Sequence, residues 1–167
     1  MVLNHAFGQS PMVQMYWDAT NNRPSANSPW FNPVPTHPFN VGYDFNHESA
    51  ATRAYSKNVM KYWQTEFKVD GFRFDLSKGF TQTNNLNNVG AWSAYDTSRV
   101  AIWKDYYNTI KQQDPSFFTI LEHFADNTEE KELSDLGLMF WGNLNHEYNE
   151  ATMGFSSNLS GGVYNNR

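Results

Sequence analysis

The sequence predicts an α/β fold built on a parallel sheet. Short apolar runs alternate with segments of helical period along most of the chain, and that order is the mark of βαβ units. Three successive apolar runs also end in polar, reactive residues: Asn4 and His5, then Arg73 and Asp75, then Glu122 and His123. In a β/α barrel the C-terminal ends of the strands are where active sites form.

Residues 1–5 read as the end of a buried strand. Residues 6–47 hold six of the seven prolines and almost no periodicity. This predicts an irregular loop region, much longer than the usual connection of about 4–6 residues, and such loops are commonly functional. Ser49 to Glu66 reads as a helix, with Ala51, Ala54, Tyr55, Val59, Tyr62 and Trp63 on one face. The turn pair Asp70-Gly71 opens a strand over Val69 to Leu76. Asn84 to Gly90 reads as loop. A second long helix runs from about Asp96 to Gln113, with Val100, Trp103, Tyr107 and Ile110 on one stripe, and Pro115 stops it. Phe117 to Phe124 is a second buried strand and Thr128 to Leu136 a short helix. Leu138 to Trp141 reads as a third strand and His146 to Met153 as a helix. Ser156 to Arg167 is a Gly/Asn/Ser-rich tail.

Composition narrows the function. The 167 residues suffice for one domain with a core. A net charge of −5 argues against a nucleic-acid partner, which needs a Lys/Arg surplus on one face. No run of 18 apolar residues exists, so no membrane span is expected. The absence of cysteine excludes disulfides and thiolate chemistry and leaves the redox compartment open. No signal-peptide pattern follows Met1, and the cellular location stays open. Aromatic residues make up 17% of the chain. That suits a core of large side chains, which composition alone favours over a site where sugar rings stack.

The candidate chemistry lies at the strand ends. Side chains on a strand alternate faces, so Arg73 and Asp75 point one way and Phe72 and Phe74 the other. A guanidinium there can aim a carboxylate by charge and hydrogen bonds. Taken alone, the pair also fits a structural tie between strand and loop. Glu122 ends the run Phe117-Phe118-Thr119-Ile120-Leu121, and an apolar setting is expected to raise its pKa, as a general acid requires. Taken alone, it also fits a strand-end glutamate facing solvent. Three strand ends carrying such groups together point to one site. A zinc hydrolase would need ligands among His5, His37, His47, His123 and His146, and no two of these have ligand spacing on a helix.

The residues also carry a resemblance. Val2-Leu3-Asn4-His5, Gly71-Phe72-Arg73-Phe74-Asp75-Leu76-Ser77-Lys78 and Ile120-Leu121-Glu122-His123 resemble, in order, the first three conserved blocks of the α-amylase family, glycoside hydrolase family thirteen. The resemblance implies a partial (β/α)8 TIM barrel, about strands three to six, with residues 6–47 as a domain-B-like insertion after the third strand. It implies Asp75 as nucleophile and Glu122 as acid/base. Arg73 would stand beside the nucleophile, and His5, Lys78 and His123 would bind substrate. Gly42-Tyr43-Asp44-Phe45-Asn46 resembles a further short block. Asn4, Asp44 and Gly79 would then be ligands of a structural calcium, Gly79 through its carbonyl where the family has histidine. The family's fourth block, an Asn-His-Asp, has no match; Asn145-His146-Glu147 comes too early. The implied function is retaining hydrolysis of α-1,4-glucans such as starch and maltooligosaccharides. A glucan-binding relative without activity and a transglycosylase or branching enzyme are the alternatives, and Lys78 leans towards the amylases.

Overall fold

A computed structural model describes residues 1–39, 41–142 and 145–155, with the backbone only at His146. The predicted tail from Ser156 and the His146 ring lie outside the described residues. The element order is β1 (His5–Ala6), α1 (Pro11–Met15), β2 (Trp17–Asp18), β3 (Arg23–Pro24), β4 (Tyr43–Asp44), α2 (Ala50–Glu66) and β5 (Gly71–Phe74). A 3-10 turn at Ser77–Gly79 follows, then α3 (Val89–Ser93), α4 (Thr97–Gln113), β6 (Phe118–Leu121), α5 (Asn127–Asp135), β7 (Met139–Phe140) and α6 (Asn145–Thr152).

Strands β5, β6 and β7 form a parallel sheet in chain order, with Phe74 paired to Leu121 and Leu121 to Phe140. The first apolar run is not a strand of this sheet. Its backbone lies along the free edge of β5 at Met1, where Asp75 N donates to Met1 O at 3.0 Å. Four residues on, His5–Ala6 turns into an antiparallel pair with Tyr43–Asp44. Gly71 is required by the close approach of β5 and β6, because a Cβ there would lie 2.8 Å from Phe118 Cβ.

The helices start where local chemistry starts them. Asp96 caps α4 by accepting from the N–H groups of Ser98 and Arg99, and Ser49 caps α2 by accepting from Ala51 N. The predicted stripe of α4 is buried, and Trp103 and Ile110 are fully enclosed against Phe72, Phe74 and Phe80. Each such side chain contributes roughly 1.5–3 kcal/mol by leaving water. The predicted face of α2 is corrected. Its buried positions are Thr52, Ser56 and Met60, whereas Tyr62 and Trp63 are 55% and 41% exposed. The sequence alone favours the largest side chains as the inward face, but the side of α2 that meets α4 carries smaller ones.

The long loop region is mostly irregular, but it holds α1, the small β2–β3 hairpin and a separate core of Val13, Phe31 and Phe45. The second loop ends earlier than predicted, since Asn88 caps α3 from Val89. At the end of the first loop, His47 is wholly buried and stacked on Phe80. Its Nε2–H donates to Leu3 O and its Nδ1 accepts from the Tyr106 hydroxyl, both at 2.7 Å. Burial lowers its pKa from 6.5 to about 3, against the opposing hydrogen bond to Leu3. A histidine with a depressed folded-state pKa stabilises fully above its unfolded pKa and loses that contribution as pH falls towards the folded value. The loss from His47 is expected to reach about 3 kcal/mol by pH 4. Thermal melts between pH 7 and pH 4 should fall steeply, and less steeply in His47→Gln; equal slopes would refute the assignment.

Candidate active site

The end of β5 and the end of β6 bring three charged side chains together. Strand alternation buries Phe72 and Phe74 and turns Arg73 to the other face. Arg73 Nη1 donates to Asp75 Oδ1 at 2.7 Å, and Arg73 Nη2 lies 3.0 Å from Glu122 Oε2. One guanidinium therefore joins both carboxylates, which follow the paired residues Phe74 and Leu121 on adjacent parallel strands. Both lie at the same end of the sheet.

The backbone after each strand is arranged around this pair. Leu76 sits in the left-handed region at φ 47°, and its N–H donates to Glu122 Oε2 at 3.0 Å. Phe124, two residues after Glu122, also has positive φ, at 54°. Such backbone costs a non-glycine residue of order 1–3 kcal/mol and is concentrated at functional sites. The apolar wall expected around Glu122 is not what its carboxylate meets: it faces a guanidinium and a backbone N–H.

The substrate-binding candidates divide into two groups. His5 is half-buried and lies within the field of Asp75, on the side where β1 meets β4. Burial lowers its pKa, the charge of His37 adds to this, and Asp75 and Asp44 oppose it. His123 is turned inward, only 1% exposed. Its Nε2 donates to Glu129 Oε1 at 2.7 Å, and its Nδ1 shares a hydrogen bond of 2.8 Å with Ser77 Oγ. That corrects the expectation of a sugar contact, because neither ring nitrogen is free. Lys78 is similarly enclosed. Its ammonium donates to Ser93 Oγ and Phe124 O and lies 4.1 Å from the Trp92 ring centre. Desolvation lowers its pKa to about 8, helped by Arg99 and opposed by Glu130 and Glu129. Both residues support the strand ends from behind.

The support rests on a buried ion pair that the sequence reading missed. Arg99 and Glu129 are each 0% exposed, joined through Nε–Oε1 at 2.6 Å and Nη2–Oε2 at 2.7 Å. Burial pushes the Glu129 carboxyl up, but His123 and Arg99 outweigh it and hold its pKa at about 2. Arg99 also donates to the carbonyls of Lys78, Trp92 and Ala94. A signal was present: Arg99 is four residues before Trp103, on the apolar stripe of α4. Trp141 was missed too. It follows β7, and the Arg73 guanidinium lies 4.9 Å from its ring centre.

Of the residues expected to hold calcium, Asn4 and Gly79 are in close contact, since a Cβ on Gly79 would be 2.1 Å from Asn4 Nδ2 and 2.9 Å from His37 Nε2, and Asp44 Oδ1 lies 3.5 Å from that same His37 nitrogen. Asn4 Oδ1 and Asp44 Oδ1 are buried without hydrogen-bond partners, a donor pair that suits a divalent cation. Gly79 supplies room, while its carbonyl accepts from Thr81 N at 2.8 Å. Among the described residues no three His, Cys, Asp or Glu side chains converge on one point, and none of the helices is long and apolar enough to cross a membrane.

Comparison with known proteins agrees with this architecture. No curated protein sequence matches. Among solved structures, Eubacterium rectale Amy13B superposes with a TM-score of 0.61 at 18% identity, over 92% of this chain and 33% of that one. An Anoxybacillus α-amylase gives 0.55 at 18% identity, over 83% and 27%. The Geobacillus thermoleovorans α-amylase, solved with acarbose, gives 0.52 at 20% identity, over 84% and 28%. This chain therefore spans about a third or less of the length of these structures, and its fold is a partial TIM-barrel-like α/β fold. The family model for the α-amylase catalytic domain matches residues 15–161, and with that match the chain belongs to the α-amylase family, glycoside hydrolase family thirteen.

Proposed function

We propose that the protein is a retaining α-glycoside hydrolase acting on α-1,4-glucans, with Asp75 as nucleophile and Glu122 as acid/base. The observation that carries this is the single Arg73 guanidinium in contact with both carboxylates at one end of adjacent parallel strands. A retaining pair works at about 5–5.5 Å, whereas an inverting pair needs roughly 6.5–9.5 Å to admit water. The retaining choice is the one the resemblance implies, and the shared guanidinium holds both carboxylates at one point of the sheet. The family match and the acarbose bound to the Geobacillus relative support a glucan substrate. In the same reading the sheet corresponds to barrel strands four to six, the first run to strand three, and residues 6–47 to a domain-B-like insertion.

Glu122 gives its proton to the glycosidic oxygen while Asp75 attacks the anomeric carbon. The C–O bond breaks, the leaving sugar departs as an alcohol, and a covalent β-glycosyl ester remains on Asp75. Glu122, now anionic, takes a proton from water. The water oxygen displaces Asp75 and restores the α configuration. Arg73 aligns the nucleophile, and His5 contacts the sugar at the cleaved bond. Asn4 and Asp44 would hold the calcium that the resemblance implies, and its contribution there would be structural.

The test is the anomeric form of the first product in the full-length protein. Proton NMR of a fresh maltooligosaccharide digest should show the α-anomer first, followed by mutarotation. A β-anomer at the earliest times would exclude the mechanism.

A further inference from the structure

Arg73, which joins the two carboxylates, has a third partner. Its side chain is 38% exposed, yet it meets Asp75 at 2.7 Å and Glu122 at 3.0 Å. A long side chain loses much rotamer freedom to hold two such contacts at once, and water weakens an exposed ion pair. The Trp141 indole offsets both effects, because the guanidinium carbon lies over its ring, 4.9 Å from the centre. A guanidinium bonds carboxylates through its N–H groups, whereas an aromatic face attracts it as a whole cation. The three contacts therefore do not compete.

Trp141 is itself held from two sides. Its backbone N–H donates to Leu121 O at 2.9 Å, one step beyond the pairing of Leu121 with Phe140. The Phe124 ring meets the indole with centres 6.1 Å apart and planes at 60°. Phe124 has left-handed backbone, a conformation that persists at a bulky residue only where its surroundings over-determine it. They do so here. Phe124 O accepts from Lys78 Nζ at 2.9 Å, Ala125 N donates to Glu130 Oε1 at 3.0 Å, and Asp126 N donates to Ser93 O at 2.7 Å. Trp141 and Phe124 stay 46% and 41% exposed, so filling a core does not account for them.

We infer that Trp141 is a positioning residue: its indole holds the Arg73 guanidinium where it reaches both Asp75 and Glu122, and Phe124 braces the indole. This rests on the reading of Asp75 and Glu122 as nucleophile and acid/base. Sequence order hides the role, because Arg73 lies on β5, Trp141 follows β7, and β6 stands between them.

The experiment measures kcat and KM on maltooligosaccharides in the full-length protein for Trp141→Leu, Trp141→Phe, Arg73→Lys and Trp141→Leu/Arg73→Lys. Trp141→Leu should lower kcat by roughly 3–30-fold, the range between an exposed and a desolvated cation–π contact. KM should change less than about threefold. Trp141→Phe keeps an aromatic face and should stay within about threefold of wild type. Beside Arg73→Lys, Trp141→Leu should cost less than about twofold more, since lysine lacks the fork that bridges two carboxylates. Should the leucine variant fold poorly, fluorinated tryptophans placed at position 141 decide. Fluorine drains the negative ring face and nearly keeps its shape, so kcat should fall with each fluorine added. A flat response, equal losses in Trp141→Phe and Trp141→Leu, or the same loss with and without Arg73 overturns the inference. So does a rise in KM at unchanged kcat, which would make the indole a sugar contact. Wild-type turnover in Trp141→Leu beside a deep loss in Arg73→Lys overturns the inference and leaves the catalytic reading standing. Wild-type turnover in Arg73→Lys overturns both.

Discussion

Asp75→Asn in the full-length protein is expected to lower kcat on maltooligosaccharides by roughly 10^4-fold or more, the scale on which loss of a covalent nucleophile acts. Substrate binding should change little, because the amide keeps the shape of the carboxylate beside Arg73 Nη1. Glu122→Gln should cost roughly 10²–10⁴-fold on the same substrates. The two variants separate on glycosyl fluorides or aryl glucosides, whose leaving groups need no proton. There Glu122→Gln should recover the first step and accumulate the glycosyl-enzyme, visible by mass spectrometry as an adduct on Asp75. Asp75→Asn should recover nothing. More than a tenth of wild-type turnover in Asp75→Asn would end the proposal for that residue.

Arg99→Met is expected to destabilise the fold by about 3–5 kcal/mol, because it leaves the Glu129 carboxylate buried without its main partner. Glu129→Gln should cost a similar amount by stranding the guanidinium. The double variant Arg99→Met/Glu129→Leu is the informative control. Replacing a buried pair with apolar residues is often close to neutral, so it should recover much of the loss in urea unfolding. Three lost carbonyl contacts limit that recovery. Losses that simply add across the two positions would mean the pair is not coupled. Activity should fall with stability in the single variants, since the same network holds His123 and Ser77 behind Glu122.

What the sequence determined by itself is what near neighbours along the chain decide. Strand period set Arg73 and Asp75 on one face opposite Phe72 and Phe74, because alternation follows from backbone geometry alone. The α4 stripe was legible because Trp103, Tyr107 and Ile110 repeat at helical spacing among polar residues, and its start because Asp96, just before them, is a good N-cap residue. The positions of Asp75 and Glu122 at strand ends followed from where apolar runs stop. Tertiary structure alone decided what those groups touch. Arg73 reaches Glu122 only because β5 and β6 pair in one register. His123 and Lys78 stand at strand ends like Asp75 and Glu122, yet the buried Arg99–Glu129 pair and the face of Trp92 draw them inward. The face of α2 was misjudged because burial depends on which side meets α4, not on which side carries the larger side chains. His37 meets Asp44 across a loop with no periodicity to read. In each case the energy lies in contacts between residues far apart in the chain, and only the packing of whole elements chooses among the pairings that local chemistry allows.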